Sequence, residues 1–238
     1  MQMFTADTFI SRLNNLRSDE ELRKIQRYFK SGEGDYVQGD SFMGVRMGLV
    51  FDLAKEFIPM SLDEIEKLLE SQWHEARAGA VSIMDFQARD KKTGLERRKE
   101  LYELYLRRHD RINNWDLVDR SAQFVVGQYL FDKPKDKLYE LATSANIWER
   151  RTAITATAYF LRKKQSEETF IIAELLLNDK EDLIHKAAGG WILHAGGQKL
   201  IAFLDKFAAT MPRTMLRYAI EKLDKLKREY YLNLGKKK

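Results

Sequence analysis

The sequence predicts an all-α protein whose helices stack as antiparallel pairs, and three observations predict it. Period-two alternation is scarce, and there is no Asn-Gly or Asp-Gly hairpin turn. The only prolines, Pro59, Pro134 and Pro212, each fall between helical patterns, where a helix breaker is tolerated. Helix-start signals recur along the chain. Ser18-Asp19-Glu20-Glu21 and Ser61-Leu62-Asp63-Glu64 read as capping boxes, and Ser166-Glu167-Glu168-Thr169 opens a helix with a serine and early acids.

Taken in order, helices are expected over roughly 5–15, then 19–31 from the Ser18 box, and 44–57 before Pro59. The Ser61 box starts 62–71, followed by 74–90 and 95–108. Asn113 and Asn114 start 115–130, because asparagine side chains accept from first-turn amides. Beyond Pro134 come 135–143 and 146–163, then 167–177 from Ser166, 182–194, 198–209, and 213–227 behind Pro212. Gly32 to Gly39, with three glycines and few apolar residues, is expected to be a mobile loop. Gly235 and three lysines end a basic tail expected to fray from about residue 232.

A weak internal echo organises these helices. Trp73-His-Glu-Ala-Arg77, Trp115-Asp-Leu-Val-Asp119, Trp148-Glu-Arg-Arg151, Leu183-Ile-His-Lys186 and Met211-Pro-Arg213 each open a helix with an apolar residue followed by charge. Their starts lie about 30 to 42 residues apart, the period of paired-helix repeats such as HEAT. Such pairs cannot bury their faces alone, so residues 1–238 are expected to form one domain, an α-solenoid curved into a superhelix. An irregular helical bundle is the competing arrangement. In a solenoid the second-helix starts line one concave wall, bringing Arg77, Arg120, Arg150, Arg151, Lys186, Arg213 and Arg217 near each other as a phosphate-binding groove. The alternative is a set of ordinary solvated charges, with Asp116 and Arg120 paired at i,i+4.

Composition narrows the function classes. The 238 residues are 44% hydrophobic and 32% charged, as expected of a globular chain. The absence of cysteine excludes disulfides, iron–sulfur clusters and cysteine-bound zinc. His74, His109, His185 and His194 are too scattered for a metal cage, so no cofactor is expected. Met1 to Leu13 contains charges and no apolar run, and no window is long enough to span a bilayer, so a cytoplasmic protein is expected. A net charge of +5 and a pI near 9.2 favour a nucleic-acid partner weakly.

The chemistry concentrates in Asn113-Asn114-Trp115-Asp116-Leu117-Val118-Asp119-Arg120-Ser121. Trp115 and Asp119, four residues apart, share one helix face. Val118, Ala122, Val125 and Tyr129 form an apolar stripe on another face, which can be buried. An aromatic plane and a carboxylate are left side by side on a surface the core does not claim. The alternative is that Asp119 only complements the helix dipole and that Trp115, like Trp73 and Trp148, packs a helix start.

From about Arg27 to Tyr231 the chain resembles the AlkD-type DNA alkylation repair glycosylases, built from HEAT-like repeats. The resemblance is carried by Asn113–Asp119, Asn146–Ile154, Ile184–Leu193 and Met211–Lys222, in order and spacing, with Arg27-Tyr28 and Phe42-Met43-Gly44-Val45 near the N-terminus. It implies a monofunctional glycosylase that removes N7-methylguanine and N3-methyladenine from double-stranded DNA. Trp115, Asp119 and Trp191 match the family's active-site trio, Arg151 a DNA-contacting arginine, and Tyr28 a tyrosine near the lesion. One departure is visible. Lys186-Ala-Ala-Gly-Gly-Trp191 has one residue more than the family's Lys-Ala-x-Gly-Trp. In a regular helix the extra residue turns the tryptophan by about 100°. A π-bulge at Gly189-Gly190 restoring its aim is the expected remedy, and a displaced tryptophan, with Gly190 facing the lesion, the other.

The chemistry follows from the resemblance. An alkylated purine is cationic and leaves readily. Bond cleavage builds positive charge on the deoxyribose, which an ionised Asp119 stabilises while positioning water. The faces of Trp115 and Trp191 suit a cation and sugar C–H bonds, and Arg151 holds a phosphate. The resemblance further implies that the base stays stacked, whereas most base-processing enzymes extrude it. A monomer is expected. The alternative function is a catalytically inactive HEAT-repeat module that binds damaged or branched DNA or a protein partner.

Overall fold

Backbone contacts divide the chain into two compact units, residues 1–129 and 130–238. The computed structural model describes residues 4–29 and 40–235, with the side chains of Gln26, Tyr28 and Phe29 outside the described set. The loop expected at Gly32–Gly39 lies outside the described residues. Among the described residues there is no strand, only an isolated bridge between Ser41 and Trp73. No helix among them is long and apolar enough to cross a membrane.

The first unit runs α1 (Ala6–Asn14), α2 (Asp19–Phe29), α3 (Met47–Glu56), α4 (Leu62–Leu69), α5 (His74–Arg89), α6 (Leu95–Arg107) and α7 (Trp115–Ala122). A π-helical turn, Gln123–Gly127, then leads into α8 (Gln128–Leu130). Ser18 and Ser61 cap α2 and α4, accepting from Glu21 N and Glu64 N. The glutamates of the two boxes turn elsewhere. Glu64 takes the backbone amide of Ala6, 2.8 Å away, and Glu21 pairs with Lys24 and Arg46. α3, α5 and α7 pack side by side, and α1, α4 and α6 cover them from the other side. α5 is buried nearly throughout, from His74 to Ala88, polar and charged side chains included.

Two ionisable side chains at the start of α5 hold this unit together. Glu75, fully buried, accepts the consecutive amides of Met43, Gly44 and Val45. Gly44 makes that turn with φ +83° against the Ser18 carbonyl, a space and conformation closed to a side chain. His74, also fully buried, lies between two carboxylates. Its Nε2 is 2.7 Å from Asp116 Oδ2, and its Nδ1 is 3.2 Å from Asp40 Oδ2. Asp40 also pairs with buried Arg77 at 2.5 Å. Burial opposes protonation of His74, but the charge and hydrogen bonds of Asp116 and Asp40 prevail and raise its pKa to about 9.

The second unit runs α9 (Asp136–Ala142), α10 (Ile147–Ala156), α11 (Ala158–Arg162), α12 (Glu167–Leu175), α13 (Asp182–Ala195), α14 (Gly197–Phe207), α15 (Arg213–Ala219) and α16 (Lys225–Leu234). α13 packs between α10 and α15, while α9 and α12 back them. Asn146 caps α10 as a helix start should, accepting from Trp148 N. Ser166 makes no side-chain cap. Its own amide donates to Glu167 instead.

Three expectations are corrected here. The helix expected over 146–163 breaks at Thr157, whose hydroxyl donates to the Ile154 carbonyl and competes with the backbone ladder. The helix expected over 213–227 ends at Ala219, and Asp224 starts another by accepting from Lys227 N at 2.9 Å. The tail expected to fray from 232 is helical to Leu234. It is pinned by buried Tyr231, whose hydroxyl donates to Asp205, and by Arg213, which donates to the Leu232 carbonyl. Residues 236–238 lie outside the described set.

Two consequences are measurable. A Cβ at Gly189 would collide with the Met215 carbonyl and the Tyr218 side chain, whereas one at Gly190 meets nothing within 4 Å. Gly189→Ala is expected to lower unfolding stability by about 1–3 kcal/mol, and Gly190→Ala to raise it by about 0.5–1 kcal/mol, in urea denaturation. For His74 the folded pKa exceeds the unfolded value of 6.5. Its contribution to stability is therefore complete below pH 6.5 and lost as pH rises towards about 9. The urea midpoint should fall across that window by the equivalent of up to about 3 kcal/mol, and less steeply in Asp116→Asn.

Candidate active site at the start of α7

α7 begins where the sequence places it. Asn114, fully buried, sits in extended backbone and accepts the Trp115 amide at 2.7 Å. Asp116 accepts the Leu117 amide through Oδ1 and faces His74 through Oδ2. Leu117, Val118, Ser121 and Ala122 form the buried face, and the Ser121 hydroxyl donates back to the Leu117 carbonyl. The expected stripe continues through buried Val125 to half-buried Tyr129, whose ring stacks on Tyr102 at 4.4 Å. On the other side, Asp119 is exposed and Trp115 is half-buried. A carboxylate one helical turn beyond an indole thus faces outward from a helix whose opposite face is sealed.

The basic residues expected along a concave wall divide into two groups. Four are engaged inside their units. Arg77 is 2% exposed and paired with Asp40. Arg120 donates to Ser82, lies 3.4 Å from buried Asp85, and stacks over Phe51 and Phe86. It does not pair with Asp116. Arg150 forks onto Asp179 and the carbonyls of Ser144 and Ala145, tying the α9–α10 turn to the start of α13. Arg213 holds α16. These four act as structural ties in the fold, and each guanidinium would have to release its partner to reach a phosphate. Lys186, half-exposed and 3.8 Å from Asp182, and exposed Arg217 remain open to an anion. Arg151 is largely buried, with Nη1 donating to the Leu183 carbonyl at 2.9 Å, which joins α10 to α13.

Trp191 departs from expectation. The expected π-bulge at Gly189-Gly190 is absent. α13 is regular from Asp182 to Ala195, and the π-helical turn sits instead at Gln123–Gly127. Gly189 has a different task, because only a residue without Cβ lets α15 approach α13 there. The added residue is therefore not absorbed. Gly190, four after Lys186, opens on empty space, and Trp191 is turned by about 100° from it. Its indole is half-buried, edge-on to His194 at 5.5 Å. Trp148 is core, as expected. Tyr28 lies in α2 near its end, with its side chain outside the described residues.

What the sequence missed is the His74 network, since Asp40 and Asp116 lie 34 and 42 residues from the histidine. No local pattern reports such a meeting. Its only trace was the charge following Trp73.

No curated protein matches the chain. A solved structure described as a predicted DNA alkylation repair enzyme from Enterococcus faecalis superposes with a TM-score of 0.66. The match covers 88% of this chain and 97% of that one at 17% identity, a likeness of all-α fold. A family model described as DNA alkylation repair enzyme matches residues 9–223. With that span matched, the chain belongs to the DNA alkylation repair enzyme family, and its role is in the repair of alkylated DNA.

Proposed function

We propose that the chain is a monofunctional DNA glycosylase that releases cationic alkylated purines, N7-methylguanine and N3-methyladenine, from duplex DNA as the first step of base excision repair. It would act as a cytoplasmic monomer. The observation that carries this reading is the outward-facing pair of Trp115 and Asp119 on a helix sealed on its other side. Asn114 and Asp116 cap the first amides of α7, which fixes the turn that carries the pair.

The reaction is a hydrolysis. As the C1′–N bond breaks, its electron pair passes to the purine and neutralises the cationic ring. Positive charge gathers on the sugar, where the Asp119 carboxylate stabilises it and orients a water for attack at C1′. The proton released by that water passes to solvent. The Trp115 ring packs on the sugar and offers its negative face to the developing cation. Because the leaving group is already charged, it needs no general acid, and the base can be lost while still stacked. Arg151, Lys186 and Arg217 are assigned to phosphates, and Tyr28 to the neighbourhood of the lesion. Trp191 is assigned to contact the alkylated nucleotide, from a position in α13 one residue beyond the family's spacing.

A second reading has an observation in its favour. With α13 regular, Trp191 is not in family register, and a binding module without base release is the alternative.

Asp119→Asn is expected to abolish release of free base from a duplex carrying one N7-methylguanine, with folding and DNA affinity retained. Equal release by the variant would remove Asp119 from the mechanism. Binding without release by the wild type would favour the binding module. Separately, Lys186→Ala and Arg217→Ala should each reduce the slope of log affinity against log salt by about 1, whereas Arg77→Met should leave that slope unchanged.

A further inference from the structure

We propose that His74 is a positioning residue for this site, clamping the first turn of α7 so that Trp115 and Asp119 hold their working geometry. The inference rests on the reading of those two residues as the reactive pair. Its basis is a chain of buried contacts within the first unit, running Arg77–Asp40–His74–Asp116. Asp116 is the residue between Trp115 and the rest of the turn, and it is held at both oxygens. Oδ1 takes the Leu117 amide of α7 itself, and Oδ2 takes the imidazole of α5.

That arrangement fixes rotation as well as position. A cap made within α7 would travel with the helix if it turned, whereas the bond to His74 refers α7 to α5, whose start is itself anchored. His74 N donates to the Ser41 carbonyl, and Glu75 binds the amides of Met43 to Val45. The imidazole has no room to choose another partner. It is 0% exposed, with Phe42 packed at 5.1 Å on its face. Among the described residues, the charged groups that act on it include Asp40 from the preceding segment, Asp116 from α7 and Arg77 from α5. Only the imidazolium donates to both carboxylates at once. The neutral ring donates to one and must turn a lone pair on the other. The clamp is therefore complete while His74 carries its proton and opens when the proton leaves, at a pH near 9.

Asp116→Asn tests the clamp with little risk to the fold, because the side chain is 18% exposed and an amide oxygen can still cap Leu117. With its oxygen on Leu117, an asparagine turns an NH2 group towards Nε2, which the imidazolium cannot accept, so the bond to protonated His74 is lost. Two measurements are made. The first is the single-turnover rate of N7-methylguanine release at saturating enzyme, from pH 6 to 10, expressed as wild type over variant. The substrate's own ionisation is common to both proteins and cancels in that ratio. The ratio should be about tenfold at neutral pH, the cost of a small misplacement at a reacting centre, and should fall towards one above pH 9. The second is amide hydrogen exchange over residues 113–121, which should be faster in the variant at neutral pH.

A ratio of one at neutral pH overturns the proposal. A reduced rate whose ratio stays flat with pH also overturns it, because that is the mark of a merely structural loss. If the wild type releases no base, the glycosylase reading fails by itself, and the exchange measurement decides the clamp. Faster exchange in Asp116→Asn then sustains the clamp on α7, and unchanged exchange sinks it.

Discussion

The first unit depends on what happens at the first turn of α5. Two residues there, His74 and Glu75, are ionisable and wholly buried, an arrangement too costly to persist unless every polar atom has a partner. Glu75 is met by three backbone amides and His74 by two carboxylates. Their partners come from the segment at residues 40–45 and from α7. The need to satisfy two buried charges thus decides how distant stretches of chain assemble. Apolar burial supplies most of the stability, at roughly 1.5–3 kcal/mol for each large side chain enclosed. It would tolerate many rotations of α7, however, and the hydrogen bonds tolerate one.

The same economy explains why fewer cations face solvent than the sequence contains. Arg77, Arg120, Arg150 and Arg213 each answer a buried carboxylate or an unpaired carbonyl at a helix end. Arginine suits this work, since its fork can satisfy several acceptors at once. A positively charged sequence is therefore an unreliable guide to a DNA-binding surface. The charge counts only where the guanidinium or ammonium has no internal acceptor within reach. Lys186 and Arg217 meet that condition better than the four arginines do.

In the second unit a packing constraint governs the direction of Trp191. α15 approaches α13 so closely at Gly189 that a methyl group would strike the Met215 backbone. That contact fixes the rotation of α13 and, with it, the direction of Trp191. A helix locked in this way cannot slip to accommodate one added residue by a local bulge. The π-helical turn that the described residues do contain lies in the first unit, at Gln123–Gly127, and includes buried Gly127.

By itself the sequence determined where helices start and stop. Serine and asparagine caps and the three prolines act on neighbouring residues, so Ser18, Ser61 and Asn114 appear in the structure where their chemistry puts them. It also determined that Trp115 and Asp119 share an outward face, because helical period and the apolar stripe at Val118, Ala122 and Val125 are local facts. Where local signals were weak it erred, as at Thr157 and at the restart from Asp224. Only the tertiary structure decided which charges are spent inside the protein and which way Trp191 points. Those outcomes turn on contacts across tens of residues, such as His74 with Asp40 and Asp116, and on the space left beside Gly189. A residue's type states which bonds it can make, and the fold settles which partners come within reach.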